Sequence, residues 1–600
     1  MGIHVTSYKT RKPLVSVSLE LLLVCYTGQC PRIELVKLLF ILTDFVTMAA
    51  PPSALPHCKE LEKKVFNDPI HGHIRLHPLL VKIIDTPQFQ RLRYIKQLGG
   101  NCFVYPGGSH SRFEHSIGVA HLAGKLVEKL QHDQPKLKIT TEDVLCVKIA
   151  GLCHDLGHGP FSHVWGIKVI PGMREGKPEW EHEQGSLKMF DYLIEQNHLM
   201  EEFKKYDLSD KTDDIVFIKE LIDPKEMSYR DKSTDSAKLI EDWPHKGRTV
   251  EKSFLYEIVA NKRNKVDVDK WDYFKRDCHH LGLTCVFDID RAMQFIRVLK
   301  PDGERLQICF RDKEARNIFQ MFQTRELLHR HVYKHKTTRL IEDMLAKALI
   351  LADQSGLFTI PTGRIDENGT VVEKKMSEFT DKPMYGPDEE LYTNLTDHVF
   401  QLILSTSVSE EDSRESAKKL KEAKDILVKL QKRELYKFLG EVPLSSNLDT
   451  ILQDFLKDSA ITEEDVFLDE VSFDFGMKEK NPFDHIMFFP KHHDQDEEPE
   501  PDWIELADVS SFLPAKFKEI VVRFYCKNAD KFDEAKSVFK KWAEKYRTQL
   551  RSKDKQGGAT PDAENGQQHD EEKDNQSATP DKNGPGEKQL ADPSRRKIQF

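Results

Sequence analysis

The sequence predicts a mainly α-helical core followed by a smaller α+β C-terminal lobe. Three observations predict it. Apolar residues recur at helical spacing between Val65 and about Leu299, as at Ile117, Ala120, Leu122, Leu126 and Leu130. Strand-like alternation with glycines and prolines gathers only after Leu357. The chain has 600 residues, more than one hydrophobic core organises, so several units are expected.

The elements follow in order. Residues 1–58 read as a leader. Its apolar runs Leu14–Tyr26 and Leu38–Val46 are interrupted by Glu20 and Asp44. Neither reaches the roughly 20 apolar residues of a spanning helix, so no membrane insertion is expected. Met48 is a plausible second start of translation. Residues 59–350 form the expected helical core. One helix covers Ser111–Leu130. A second is capped by Thr140-Thr-Glu-Asp143, runs through Leu152 and is broken by Gly157, Gly159 and Pro160. A third covers Asp269–His280, and a fourth runs from Asp312 through Lys336 towards Leu351. Residues 351–547 form the expected α+β lobe, with a hairpin at Leu357–Val372, a charged helix at Glu410–Leu439, strands at Val466–Phe475 and His485–Pro490, an acidic loop at His493–Asp502 and a helix at Leu513–Arg547. Residues 548–600 read as a disordered tail with two Ala-Thr-Pro-Asp repeats, at Thr560 and Thr579.

Composition narrows the function classes. Charged residues make up 31% and hydrophobic residues 39%, the balance of a soluble globular chain. The net charge of −10 argues against a nucleic-acid coat, although a local basic patch can still bind phosphates. The 10 cysteines contain no Cys-x-x-Cys pair, so neither a secreted disulfide framework nor the usual structural zinc site is expected.

The chemistry concentrates in Ile149-Ala-Gly-Leu-Cys-His-Asp-Leu-Gly-His-Gly-Pro-Phe-Ser-His163. His154 and Asp155 stand at the end of an apolar helix, and His158 and His163 follow within one loop. Packing does not explain four ionisable side chains there. Imidazole with carboxylate suits a divalent cation such as Zn, Fe, Mn or Mg. His115 and Asp269, on neighbouring helices, complete a candidate ligand set of His115, His154, Asp155 and Asp269. The order His, His-Asp, Asp is the HD pattern. Such a site lowers the pKa of bound water and polarises a phosphoryl oxygen. Arg112, Lys270 and Arg325 can supply the positive charge that phosphoryl transfer needs. His182 is a candidate proton donor to the leaving oxygen.

Longer motifs resemble one family. They are Val65-Phe-Asn-Asp-Pro-Ile-His-Gly-His73, Thr86–Gly99, Ser111-Arg-Phe-Glu-His-Ser116, Gly151–His163 and Asp267-Val-Asp-Lys-Trp-Asp-Tyr-Phe274. From about Lys63 to Lys545 the chain resembles the SAM-and-HD-domain-containing deoxynucleoside triphosphate triphosphohydrolases of vertebrates. The resemblance implies cleavage of a deoxynucleoside triphosphate into deoxynucleoside and triphosphate, with all four bases accepted. It gives His158, His163 and His182 catalytic roles. Arg112, Lys270, Tyr273 and Arg325 become triphosphate contacts, Gln97 and Asp277 contacts to the 3′-hydroxyl, and Leu98 and Tyr333 an apolar wall at C2′ that rejects ribonucleotides. It also implies activation by GTP and a deoxynucleotide that assemble a homotetramer. The GTP site takes Lys64, Val65, Asp85, Gln90 and Arg93, with Arg433 and Lys437 from another subunit. The deoxynucleotide site takes Val104, Arg291, Arg311, Lys313, Asn317, His335 and Lys336. The C-terminal lobe is then expected to contribute to oligomerisation and to these sites. Control of deoxynucleotide pools, a nuclear location (the cytoplasm being the alternative), antiviral defence, replication-fork and repair roles and binding of single-stranded nucleic acid complete what the family implies.

Three departures stand out. Residues 1–58 do not resemble a SAM domain. His331 stands where the family has an arginine, and Lys334 where it has a glutamine, which points to altered nucleotide preference. Another HD phosphohydrolase (a phosphodiesterase or nucleotidase) and a single-strand-binding protein are the rival readings.

Overall fold

The computed structural model describes residues 64–556, apart from 174–179, 210–212, 226–241, 302–304, 381–388, 458 and 492–498. The expected leader, the tail beyond 556 with its Thr-Pro repeats and most of the acidic loop lie outside the described residues. Among these, one compact unit takes the residues up to Tyr436 together with Val471–Ile520, and the other takes Lys437–Glu470 with those from Val521 onward.

The first unit opens on an antiparallel hairpin of β1 (Lys64–Asp68) and β2 (Gly72–Leu76). Helix α1 (Arg112–Asp133) starts at a capping box in which Ser111 N donates to the Glu114 carboxylate at 2.7 Å. Its buried face, including Ile117, Ala120, Leu122 and Leu126, packs on α2 (Thr141–Cys153). Thr140 and Asp143 cap α2 reciprocally, each backbone N–H donating to the other's side chain at 3.1 Å. The expected caps and ends of α1 and α2 are thus observed within a few residues. Helix α3 (His182–Gln196) and helix α4 (Asp214–Ile222) follow. Helix α5 (Val268–Leu281) starts where the Asp267 side chain accepts from Lys270 N and stops at Gly282, whose φ of +67° suits glycine. A small sheet in the order β3-β4-β9 joins β3 (Ile296–Leu299) and β4 (Gln307–Arg311) to the later β9 (Phe488–Phe489).

The expected fourth helix is interrupted. Helix α6 (Ala315–Leu328) passes into a π-helical turn at His329–Tyr333, and α7 (Lys336–Ser355) begins afresh with His335 as its N-cap. This break turns His329 and Tyr333 into the same cavity as α5. The hairpin β5 (Ile360–Ile365) and β6 (Val371–Lys374) lies where alternation placed it. Helix α8 (Glu415–Lys432) packs its Ala417, Leu420, Ala423 and Leu427 face on α7.

Two expectations are corrected. The charged helix does not run to Leu439: Arg433 adopts φ 59° and ends it, and Lys437–Pro443 is strand β7. The helix Leu513–Arg547 is replaced by strand β10 (Lys518–Cys526) and helix α9 (Phe532–Gln556), which continues past the expected start of the tail. Val521, Val522, Phe524 and Tyr525 are β-branched or aromatic and find a partner strand in β7. The second unit is built on this sheet, in the order β7-β10-β8 with β8 at Val466–Asp474. Phe524, Phe455, Phe539 and Ala543 lie in its core. No helix among the described residues is long and apolar enough to cross a membrane.

Candidate active site

The candidate metal ligands come from three helices. His115 sits in the first turn of α1, His154 and Asp155 directly follow α2, and Asp269 is in the first turn of α5. His115 Nε2 lies 3.1 Å from Asp269 Oδ1 and 3.5 Å from Asp155 Oδ2. His154 Nε2 lies 3.3 Å from Asp269 Oδ1 and 3.4 Å from Asp155 Oδ1. Both imidazole nitrogens are buried and make no hydrogen bond in spite of these short approaches. Buried polar atoms are normally paired, so two lone pairs aimed at the same carboxylates fit a cation between them.

The other ring nitrogens fix the tautomers. His115 Nδ1 donates to Asp272 Oδ2 at 2.8 Å, and His154 Nδ1 donates to Gly151 O at 2.9 Å. In its neutral form each histidine therefore presents Nε2 as a lone pair, available to a cation in place of a proton. Burial disfavours charge on His115, but Asp269 and Asp272 outweigh it and raise its pKa to about 10. Asp269 is itself driven well below the usual carboxylate range: burial opposes this, and the close approach of His115 and His154 prevails. The carboxylate cluster thus calls for positive charge, which a divalent ion satisfies.

Asp272 is fully buried and also takes Arg276 Nε at 2.8 Å and His71 Nε2 at 2.6 Å, while Arg276 Nη1 reaches Asp68 Oδ2 at 2.8 Å. Sequence reasoning assigned no role to Asp68, His71, Asp272 or Arg276. Asp68, His71 and Asp272 sit inside motifs that carry the family resemblance, which was the available signal, and Arg276 lies just past the last of them.

Beside the ligands lies a cavity of about 450 Å³. Asp155 and Asp269 reach its wall. Gln97, Leu98, Arg112, His158, His163, His182, Tyr273, Asp277, Arg325 and Tyr333, all expected on substrate, line it together. Lys270 does not: its ammonium is bound to Asp267 at 2.9 Å. Lys168, His329, Lys334 and Arg339 also line the cavity without having been assigned to it. Arg112 is buried and donates to Ser162 Oγ at 2.9 Å and to Asp155 Oδ2. The rings of His158 and His182 stack with centroids 4.1 Å apart, and His163 meets His158 edge-on at 5.1 Å. Burial, then the Arg112 charge and His182, push the His163 pKa down to about 3. Burial likewise lowers His158 and His182. Burial and the neighbouring Arg112 thus disfavour charge on all three histidines.

None of the residues expected at the allosteric sites is among those that line this cavity. Lys64 and Asp85 approach to 3.9 Å, and Arg93 donates to Gln90 Oε1 at 2.7 Å. Arg433 donates to Phe103 O of its own chain. Lys437 lies in the second unit, with its ammonium 5.0 Å from the Phe532 ring. Arg291 pairs with Glu314 at 2.8 Å, and Asn317 donates to the same glutamate at 3.1 Å. Lys313 sits 3.4 Å over the Phe295 ring, and Arg311 N donates to Phe295 O. His335, next to Lys336, instead faces Tyr105, the neighbour of Val104, at 6.1 Å.

Three helices presenting His, His-Asp and Asp around one cation site define an HD-domain protein, and the HD domain family matches residues 112–291. Deoxynucleoside triphosphate triphosphohydrolase SAMHD1 of Gallus gallus is 46% identical over 496 residues, covering 80% of this chain and 75% of that protein. The Homo sapiens protein of the same name is 45% identical over 496 residues, covering 80% and 73%. A SAMHD1 homolog of Dictyostelium discoideum is 35% identical over 484 residues, covering 80% of each chain. The chain belongs to the SAMHD1 family of deoxynucleoside triphosphate triphosphohydrolases.

Proposed function

We propose that this chain hydrolyses deoxynucleoside triphosphates to deoxynucleoside and inorganic triphosphate. The observation that carries the reading is one cavity walled by Asp155 and Asp269 of the candidate ligand cluster together with Arg112, Arg325 and Tyr273. His115, His154, Asp155 and Asp269 would hold a divalent ion of the Zn, Fe, Mn or Mg type. Such an ion, when bound, lowers the pKa of water and polarises a phosphoryl oxygen. Arg112 and Arg325 neutralise the triphosphate. His182, kept neutral in the free enzyme, takes up a proton as the phosphates arrive and gives it to the departing O5′. Water adds to the α-phosphorus and the bond from that phosphorus to O5′ breaks. Leu98 and Tyr333 leave a 2′-hydroxyl without room or partner, while Gln97 and Asp277 take the 3′-hydroxyl.

The reading extends to regulation. GTP bound near Lys64, Asp85, Gln90 and Arg93 and a deoxynucleotide bound near Arg291, Lys313 and Asn317 favour a homotetramer by mass action, with Arg433 and Lys437 reaching a neighbouring subunit. Control of deoxynucleotide pools, in the nucleus or else the cytoplasm, with antiviral and repair roles that depend on them, is the cellular part of this proposal. The test is chromatography of products from purified protein, a deoxynucleoside triphosphate and a divalent metal, with and without GTP. Triphosphate that requires GTP and vanishes in Asp155→Ala supports the whole reading. Triphosphate without GTP removes the regulatory part, and no triphosphate removes the enzyme.

A further inference from the structure

We propose that His110, a residue behind the cavity wall, is the positioning residue that fixes the deoxyribose subsite. The inference rests on the proposed activity and deepens it. The His110 side chain is completely buried. Its Nε2 donates to Asp277 Oδ1 at 2.7 Å, and the Tyr333 hydroxyl donates to Asp277 Oδ2 at 2.6 Å. One carboxylate is thus gripped from both sides, by the loop before α1 and by the π-helical turn after α6. The His110 carbonyl meanwhile accepts from Gln97 N at 3.0 Å. His110 therefore joins two cavity residues, Gln97 and Asp277, and reaches a third, Tyr333, through Asp277.

The orientation of His110 is itself fixed. Its ring stacks on His280 at 4.4 Å with 10° between the planes. Nδ1 has no hydrogen-bond partner, so Nε2 carries the single strong interaction of the ring. Gln97 Oε1 is also buried and unpartnered, an acceptor ready for a hydroxyl. Each Asp277 oxygen keeps acceptor capacity after receiving one donor, since an ionised carboxylate offers about four lone-pair sites. The clamp leaves Asp277 able to accept from a sugar 3′-hydroxyl while fixing the direction from which it does so. The same carboxylate anchors the Tyr333 ring that closes off C2′. Acceptance of the 3′-hydroxyl and rejection of a 2′-hydroxyl are then coupled through one residue that touches no substrate.

A buried histidine–aspartate pair can also be purely structural, and the test separates the two. Turnover of dATP, 2′,3′-dideoxyadenosine triphosphate and ATP is measured for wild type, His110→Phe, which keeps the stack and loses the donor, and His110→Gln, which restores a donor. Metal content and melting temperature serve as controls. In His110→Phe, kcat/KM for dATP falls by about tenfold or more, as for a lost hydrogen bond to a buried charge. The dideoxy substrate changes little, the preference for dATP over ATP narrows, and His110→Gln recovers part of both ratios. Parallel loss on all three substrates, or unchanged ratios, overturns the inference. Should His110→Phe not fold, the same ratios are read on His110→Ala with the same two outcomes. A wild-type protein that releases no triphosphate overturns the activity and this inference together, whereas an active wild type with unchanged ratios overturns this inference alone.

Discussion

His115 donates through Nδ1 to Asp272 at 2.8 Å, and Asp272 is at the same time the buried anchor of Arg276. One carboxylate thus sets the tautomer of a metal ligand and balances a fully buried guanidinium. Asp272→Asn keeps the shape and loses the charge. It is expected to weaken divalent metal binding roughly 10–100-fold, as changes behind a ligand generally do. Metal content after dialysis against a graded chelator checks this; wild-type retention contradicts it.

Gly157 lies where the chain leaves the ligand pair. A Cβ there would stand 2.1 Å from His182 O and 2.3 Å from Ser186 N, at the start of α3. Gly157→Ala must push α3, and His182 with it, away from His158. A displacement of this kind costs about 100-fold in kcat. Metal content should stay near one equivalent; a fall in both together would mean collapse of the site instead.

Arg248 bridges Asp143 at 2.7 Å and Asp214 at 2.6 Å, and its guanidinium lies 4.4 Å from the Phe217 ring. Both carboxylates are buried, so Arg248→Ala takes the guanidinium from Asp214 and leaves Asp143 to Lys252, and destabilises the protein by about 3 kcal/mol. Reversible denaturant titration measures it, and a change within error of zero refutes it.

The same network sets acid sensitivity. Burial raises the Asp143 pKa, but Lys252 and Arg248 outweigh it and the net shift is downward. A folded-state pKa below the unfolded value means that the stabilisation is full above about pH 4, the ordinary aspartate pKa, and is lost as pH falls through the lower folded value. Asp143→Asn should flatten the fall in stability below pH 4, and an unchanged slope would contradict this.

Asp85, exposed and 3.9 Å from Lys64, is the proposed reader of guanine in the activator site. Asp85→Asn loses the acceptor pair for the guanine N–H groups and is expected to raise the GTP concentration for half-activation about tenfold. Sedimentation and an activation curve report it; half-activation at the wild-type concentration would remove Asp85 from the site.

The sequence made the ligand set legible because His115, His154, Asp155 and Asp269 stand at helix starts and ends that local caps announce. Thr140 with Asp143, and Ser111 with Glu114, are such caps. The misread elements depend on distant partners. Lys518–Cys526 is a strand because its β-branched and aromatic run lies beside Lys437–Pro443, a partner that local sequence does not show. Arg433 ends its helix in a left-handed conformation that a glycine would have flagged. Lys270 looked like a phosphate contact, whereas its ammonium turns to Asp267. The grip of His110 on Asp277 spans 167 positions of chain and is visible only once the helices are assembled.

The most direct test of the central claim is hydrolysis of a deoxynucleoside triphosphate in water enriched in ¹⁸O, with products read by mass spectrometry. Attack at the α-phosphorus predicts one heavy oxygen in inorganic triphosphate and none in the deoxynucleoside. Release of orthophosphate, pyrophosphate or a deoxynucleoside monophosphate, or label in the sugar, would contradict it.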